Sequence, residues 1–317
     1  MYHSFYGLKD EPFRLTPDSR FFHFSEPHKN ALRVLLESIF YRKGLTMITG
    51  PIGTGKTTLV HTALQIFTDK KMPVRSALLF NPTLNREEFL EMMLDEFEVT
   101  CTATSKPKRL MALHQMLLET QRRGGTSVLF IDEAHLLSPE LLEEIRLLGN
   151  ADTHQEKLLQ IVVSGQPELL EIMDRPELSA LQQRIAARAH LRPLSQPETR
   201  DYVAERLHTA GLQGASPFSG GTLEAIHHFS GGVPRLINLI CEGCLSIGFR
   251  TQRTTIQSDV VEEAAVSLGL VKEVQILERK ATPVMPIPPA QIGAAKSMVD
   301  VLIEAMKNKR RPAPGVS

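Results

Sequence analysis

The chain has 317 residues, enough for about two domains of roughly 100–200 residues each. Lys plus Arg and Asp plus Glu both total 36, so net charge supplies no long-range steering toward nucleic acid or an anionic membrane. Three Cys are too few for a disulfide framework, and no charged n-region followed by an apolar run stands at Met1, so a reduced, cytosolic setting is expected.

Residues 1–24 are rich in aromatics, prolines and charges without a period of 2 or 3.6, and read as an irregular arm packed on the core. Ser25 and Pro27 then open a helix whose stripe is Ala31, Leu32, Leu35, Leu36, Ile39 and Phe40, ending near Gly44. LTMIT is a short apolar strand, followed by a helix from Thr57 to Phe67. Apolar runs at 74–80, 127–132 and 159–165 read as buried strands, separated by helical patterns at 86–97, 107–122 and 139–148. Strands alternating with helices predict an α/β fold, a three-layer parallel sheet core over 25–192. From 193 to 270 the pattern becomes helical throughout (197–211, 220–230, 234–249, 258–268), which predicts a smaller all-helical lid domain. Residues 271–293 hold Pro283, Pro286, Pro288 and Pro289 and read as an extended linker. The last stretch, 294–317, reads as a short amphipathic helix with Met298, Val301, Leu302, Ala305 and Met306 on one face, then a basic tail. The longest apolar runs, such as LLQIVV, fall short of the ~20 residues of a membrane-spanning helix, so direct insertion is not expected.

GPIGTGKTTL, residues 50–59, has the spacing G-x-x-x-x-G-K-[ST] between a strand and a helix, the context that makes a phosphate-binding loop. Gly50, Pro51, Ile52, Gly53, Thr54 and Gly55 supply the turn whose N–H groups surround a phosphate, and Lys56, Thr57 and Thr58 open the helix. Lys56 is expected to reach the β- and γ-phosphates of ATP, and Thr57 to hold Mg²⁺. In VLFIDEAH a hydrophobic strand delivers Asp132 to the metal shell and Glu133 to the attacking water, at the carboxyl end of a strand where α/β sheets bind ligands. Glu133 therefore points to hydrolysis. His135 completes D-E-A-H, a tetrapeptide shared with one class of helicases. Those enzymes need a second RecA-like domain, and the C-terminal part here reads as helical. Cys241 and Cys244 lie inside the apolar helix LINLICEGCL and read as small buried hydrophobes, since zinc wants four ligands. His227 and His228 read as surface or satisfied core residues.

FYGLKDEPFRLTPDSRFF, GPIGTGKTTL, LFIDEAHLLSPELLEEIRLLGN, LQIVVSGQPEL, LQQRIAARAHLRPL and FSGGVPRLINLICEGCL, in that order over residues 1–268, resemble AAA+ ATPases of the general secretion pathway protein A (ExeA) type. The resemblance implies further site residues. Ser164 and Gln166 are both candidates for sensor 1, the polar group between γ-phosphate and water. Arg184 and Arg188, just before the last strand, are candidates for an arginine finger that enters a neighbouring subunit's site. Arg235 corresponds to the sensor-2 arginine of the lid, and Asn81 to the polar switch that holds the catalytic glutamate away. Pro12 and Phe13 correspond to the part of the arm that packs near adenine in similar proteins, although a Phe at such a place is more often plain core. It also implies a homo-oligomer, a ring or filament, that is cytoplasmic and recruited to the inner face of the inner membrane by partners. Relatives of this type support secretion-pore or pilus building and often continue into a membrane span and a peptidoglycan-binding domain. This sequence instead ends after a proline linker and short helix. The alternative role is that of transposition ATPases of the TnsC and IstB kind, which regulate a transposase on duplex DNA. A DEAH helicase is the minor alternative.

Overall fold

The computed structural model describes residues 2–16, 18–80, 83–153, 156–270 and 298–309. The chain divides into two compact units, one of residues 26–52 and 56–191, the other of residues 1–25, 53–55 and 192–317.

The first unit is built on five parallel strands, β1 (Leu45–Thr49), β2 (Val74–Leu79), β3 (Thr126–Ile131), β4 (Leu159–Gly165) and β5 (Ile185–His190), in the order β2-β3-β4-β1-β5. Every residue of β1 and β4 is buried, as expected of parallel strands covered on both faces by crossover helices. Helices Glu26–Phe40, Lys56–Asp69, Arg86–Glu96, Lys106–Arg122 and Pro139–Leu148 supply those covers. One face is a continuous core in which Leu79, Leu129, Ile161 and Val163 meet Phe89, Met93, Phe97, Leu113 and Leu142. Asn85 and Glu88 close a reciprocal capping box on the Arg86–Glu96 helix, satisfying N–H groups that would otherwise lack partners. Arg188 was expected just before the last strand; it lies inside β5, paired with Met47, and only Arg184 precedes the strand. Short helices at Glu168–Met173 and Ser179–Gln182 connect β4 to β5.

The second unit is helical, with helices Gln196–Thr209, Gly220–Ser230, Pro234–Arg250 and Ser258–Ser267. The N-terminal arm belongs to it. Tyr6, Phe13 and Phe21 share a core with Tyr202, Leu207, Phe218, Ile237 and Cys241. Phe13 is 1 % exposed and packs edge-on against Phe218 at 6.1 Å between ring centroids, a core position worth about 1.5–3 kcal/mol of burial. Pro12 turns its carbonyl to the buried Arg206 guanidinium, which also donates to the Tyr202 hydroxyl at 2.9 Å and lies 4.9 Å from the Phe21 ring centroid. Tyr6 donates to the Arg253 carbonyl at 2.9 Å. Cys241 and Cys244 are free and buried, and burial pushes both thiols up, Cys244 to about 12. They act as small apolar side chains.

The predicted linker, 271–293, and residues 294–297 and 310–317 lie outside the described residues. The helix Met298–Lys309 buries Val299 and Ile303, half-buries Leu302 and Ala305 of the predicted stripe, and leaves Val301 54 % exposed. Among the described residues no helix is long and apolar enough to cross a membrane.

Ser195 and Glu198 form the capping box of the Gln196–Thr209 helix. Partial burial would raise the Glu198 carboxyl, but hydrogen bonds from Arg192 and Ser195 and the Arg192 charge outweigh it and bring it to about 2. A carboxyl depressed on folding stabilises above its unfolded pKa and loses that contribution as pH falls toward the folded value. Glu198→Gln should therefore cost about 1 kcal/mol at neutral pH, with the gap to wild type closing as pH drops below 4.5 toward 2. Chemical denaturation across that range checks it; a pH-independent gap would assign the loss to packing alone.

Candidate nucleotide site

At the carboxyl end of β1 the chain turns through the Gly-rich loop into the helix Lys56–Asp69. Gly55 has φ +95°, a left-handed backbone that glycine adopts without a Cβ penalty. The Gly50 N–H donates to the Gly165 carbonyl at 3.2 Å, fixing the loop to the end of β4. Lys56 is buried and its ammonium donates to the carbonyls of Gly50 at 2.8 Å and Pro51 at 3.2 Å. Burial lowers its pKa, while the charges of Glu133, Asp132 and Glu168 pull the other way. A Gly-rich turn leading into a helix N-terminus, with a lysine ammonium beside it, is an arrangement suited to an anion.

Asp132 follows β3 and is held from three sides. Thr57 Oγ1 donates to its Oδ2 at 2.6 Å, Ser164 Oγ donates to Oδ1, and the Glu133 N–H donates to Oδ1 at 2.9 Å. Glu133 takes a left-handed backbone (φ 51°, ψ 36°), an uncommon state for a residue with a side chain, and turns its carboxylate to 3.4 Å from His135 Nδ1. His135 Nε2 lies 3.0 Å from the side-chain amide of Gln166.

Ser164 and Gln166, two candidates for one role from sequence, therefore have different neighbours: Ser164 faces the metal-shell carboxylate and Gln166 faces His135. Arg184 donates from Nη1 to the Arg146 carbonyl at 3.1 Å and to Asn150, and with Lys43, Arg146 and Lys157 it lines a cavity of about 310 Å³ beside Gly44, Leu45 and Leu159. Gly44 and Leu45 are at the amino end of β1, so this cavity is at the end of the sheet away from the Gly-rich loop. Arg188 is exposed. Arg235 lies in the helical unit, where residues 53–55 also cluster; its N–H donates to the Gly53 carbonyl at 3.2 Å. Asn81 lies outside the described residues.

One neighbour escaped the sequence reading. His190 ends β5 and shares a 3.0 Å hydrogen bond between Nδ1 and Thr49 Oγ1; burial and then the nearby Lys56 charge lower its pKa. The signal was its position at the carboxyl end of a strand, invisible until β5 was placed.

The chain spans 45 % of the length of General secretion pathway protein A of Aeromonas hydrophila and is 40 % identical to it over 253 residues, 78 % of this chain. An AAA domain model matches residues 38–173, which contain the loop, Asp132 and Glu133. The chain carries an AAA domain and, over 78 % of its length, resembles the AAA+ ATPases of the general secretion pathway protein A type. Two solved structures share the fold: Drosophila ORC bound to DNA (TM-score 0.65, 16 % identity, 86 % of this chain and 67 % of that one) and Cdc6p from Pyrobaculum aerophilum (TM-score 0.61, 20 % identity, 84 % and 75 %). The AAA+ fold implies nucleotide binding.

Proposed function

We propose that the chain hydrolyses ATP as a homo-oligomer, ring or filament, and couples turnover to assembly of a partner complex in a secretion, pilus or envelope-export system. The hydrolytic part is carried by one observation: Asp132 gripped by Thr57 and Ser164, with Glu133 next to it and Lys56 over the loop. The hydroxyl of Thr57 and the carboxylate of Asp132 are hard oxygen donors of the kind Mg²⁺ takes, so these residues fit that ion. Mg²⁺, when bound there, would supply charge neutralisation on phosphate oxygens. Glu133 is the base: it accepts a proton from water as the water oxygen bonds the γ-phosphorus and the bond to the bridging oxygen breaks, giving ADP and phosphate. Ser164 keeps Asp132 oriented. Arg235 serves as sensor 2, and Asn81 as the switch residue. The envelope role is supported by likeness to General secretion pathway protein A, and we infer a position on the cytoplasmic side reached through a partner.

A second reading, a DNA-binding regulator of a transposase, draws on the cavity lined by Lys43, Arg146, Lys157 and Arg184 and on the fold shared with Drosophila ORC bound to DNA. Repetition of a few cations along a filament multiplies contacts to phosphates even when each subunit is neutral. The helicase alternative needs a second RecA-like sheet, and the described residues hold one sheet.

Arg184, at the amino end of β5, is the better placed finger of the two arginines. Arg184→Ala should keep nucleotide affinity and lose about 10³-fold or more in turnover, with Arg188→Ala milder. Light scattering of Glu133→Gln with ATP, with and without duplex DNA, should show growth beyond a monomer; growth requiring DNA favours the transposition role. Full-rate hydrolysis by a dilute monomer would refute the shared-site reading.

A further inference from the structure

His135 stands between two residues that the sequence treats separately. Its Nδ1 is 3.4 Å from Glu133 Oε2 and 3.5 Å from the Gln166 backbone nitrogen, while Nε2 is 3.0 Å from the Gln166 side-chain amide, so the Nδ1–H tautomer donates to the carboxylate and accepts from the amide. The imidazole is 11 % exposed, so these contacts are not loose surface encounters. The turns after β3 and β4 are pressed together here: a Cβ on Gly165 would come 3.2 Å from the His135 backbone nitrogen and 3.0 Å from Leu169 Cδ2. Glu133 is meanwhile held at φ 51°, and a left-handed glutamate persists only when its surroundings over-determine it.

We propose that His135 is a positioning residue for the reaction, a clasp that sets the aim of the Glu133 carboxylate and links it to Gln166, so that displacement of Gln166 moves the base. This rests on the reading of Glu133 as general base. The imidazole has the two ring nitrogens the task requires, one toward each partner, whereas a side chain with one polar atom would hold only one of them. A base misplaced by about 1 Å costs up to about 10²-fold in rate without altering how the phosphates are held.

Steady-state kinetics and direct binding of a fluorescent ATP analogue, with thermal melting as a check on folding, test the proposal on the full chain. His135→Ala should lower kcat by about 10- to 100-fold while KM and analogue affinity stay within about twofold. His135→Asn, which keeps a donor and an acceptor, should recover part of that loss. Gln166→Ala should lower kcat as well, and the double variant His135→Ala/Gln166→Ala should be no worse than the slower single variant, as for residues acting as a unit. An unchanged kcat in His135→Ala, parallel loss of affinity and melting temperature in both His135 variants, or multiplied losses in the double variant would each overturn it. Glu133→Gln separates the two readings: if it is inactive while His135→Ala is normal, the clasp alone is wrong, and if it is fully active, the base assignment falls and the clasp with it.

Discussion

Glu133→Gln is expected to bind ATP as tightly as wild type and to hydrolyse it about 10² to 10⁴ times more slowly, the contribution of a general base. The asymmetry comes from where charge is held. In the proposed mechanism phosphate is cradled by the loop N–H groups and by Lys56, whose ammonium here rests on the Gly50 and Pro51 carbonyls; Glu133 supplies none of this. It lies one residue beyond Asp132 and its carboxylate is turned toward His135, so neutralising it leaves the Thr57–Asp132 hydrogen bond in place. Lys56→Ala should behave in the opposite way, with nucleotide affinity lost first. Equilibrium binding of a fluorescent nucleotide beside single-turnover hydrolysis distinguishes the two. If Glu133→Gln turned over at the wild-type rate, the base would have to be sought elsewhere; if it lost binding instead, Glu133 would belong to the cradle.

The loop motif was legible because it is local: six consecutive positions, Gly50 to Gly55, and one lysine, with a short strand before them. Strands β1, β3 and β4 were legible for the related reason that strands buried on both faces carry apolar runs and no charged residue. IAARAH was not, because β5 is an edge strand whose burial alternates and whose exposed positions carry Ala186 and Arg188. That one gap moved Arg188 into the wrong place and hid His190. The arm failed differently. Its aromatics follow no period because their partners, Tyr202, Arg206, Phe218 and Phe249, lie about two hundred residues downstream, and no local pattern records a pairing at that distance. Ser164 and Gln166 were inseparable in sequence since both end the same strand; which faces Asp132 and which faces His135 depends on the 3-10 turn Ala134–Leu136 beside them.

Gly232→Ala should be the most damaging single methyl in the helical unit. Gly232 has φ +74°, and a Cβ built on it would lie 1.9 Å from the Leu194 carbonyl oxygen and 3.0 Å from the Leu194 carbonyl carbon. Neither is the end of a flexible side chain. The Leu194 N–H donates to the Gly232 carbonyl at 2.8 Å, so separating the two backbones to admit the methyl also breaks that bond. Positive φ, a backbone collision and a lost buried hydrogen bond add in the same direction, and a loss of about 3–5 kcal/mol is expected. Gly220→Ala is the control: its added Cβ meets nothing within 4 Å, and surface changes of that kind stay within about ±0.5 kcal/mol. The effect should reach function, because Leu194 immediately precedes the Ser195 cap and Gly232 leads through Val233 and Pro234 to Arg235. Denaturant unfolding of the two variants decides the matter. Wild-type stability in Gly232→Ala would mean that the two backbones are not in contact, and the placement of Arg235 by this turn would have to be abandoned with it.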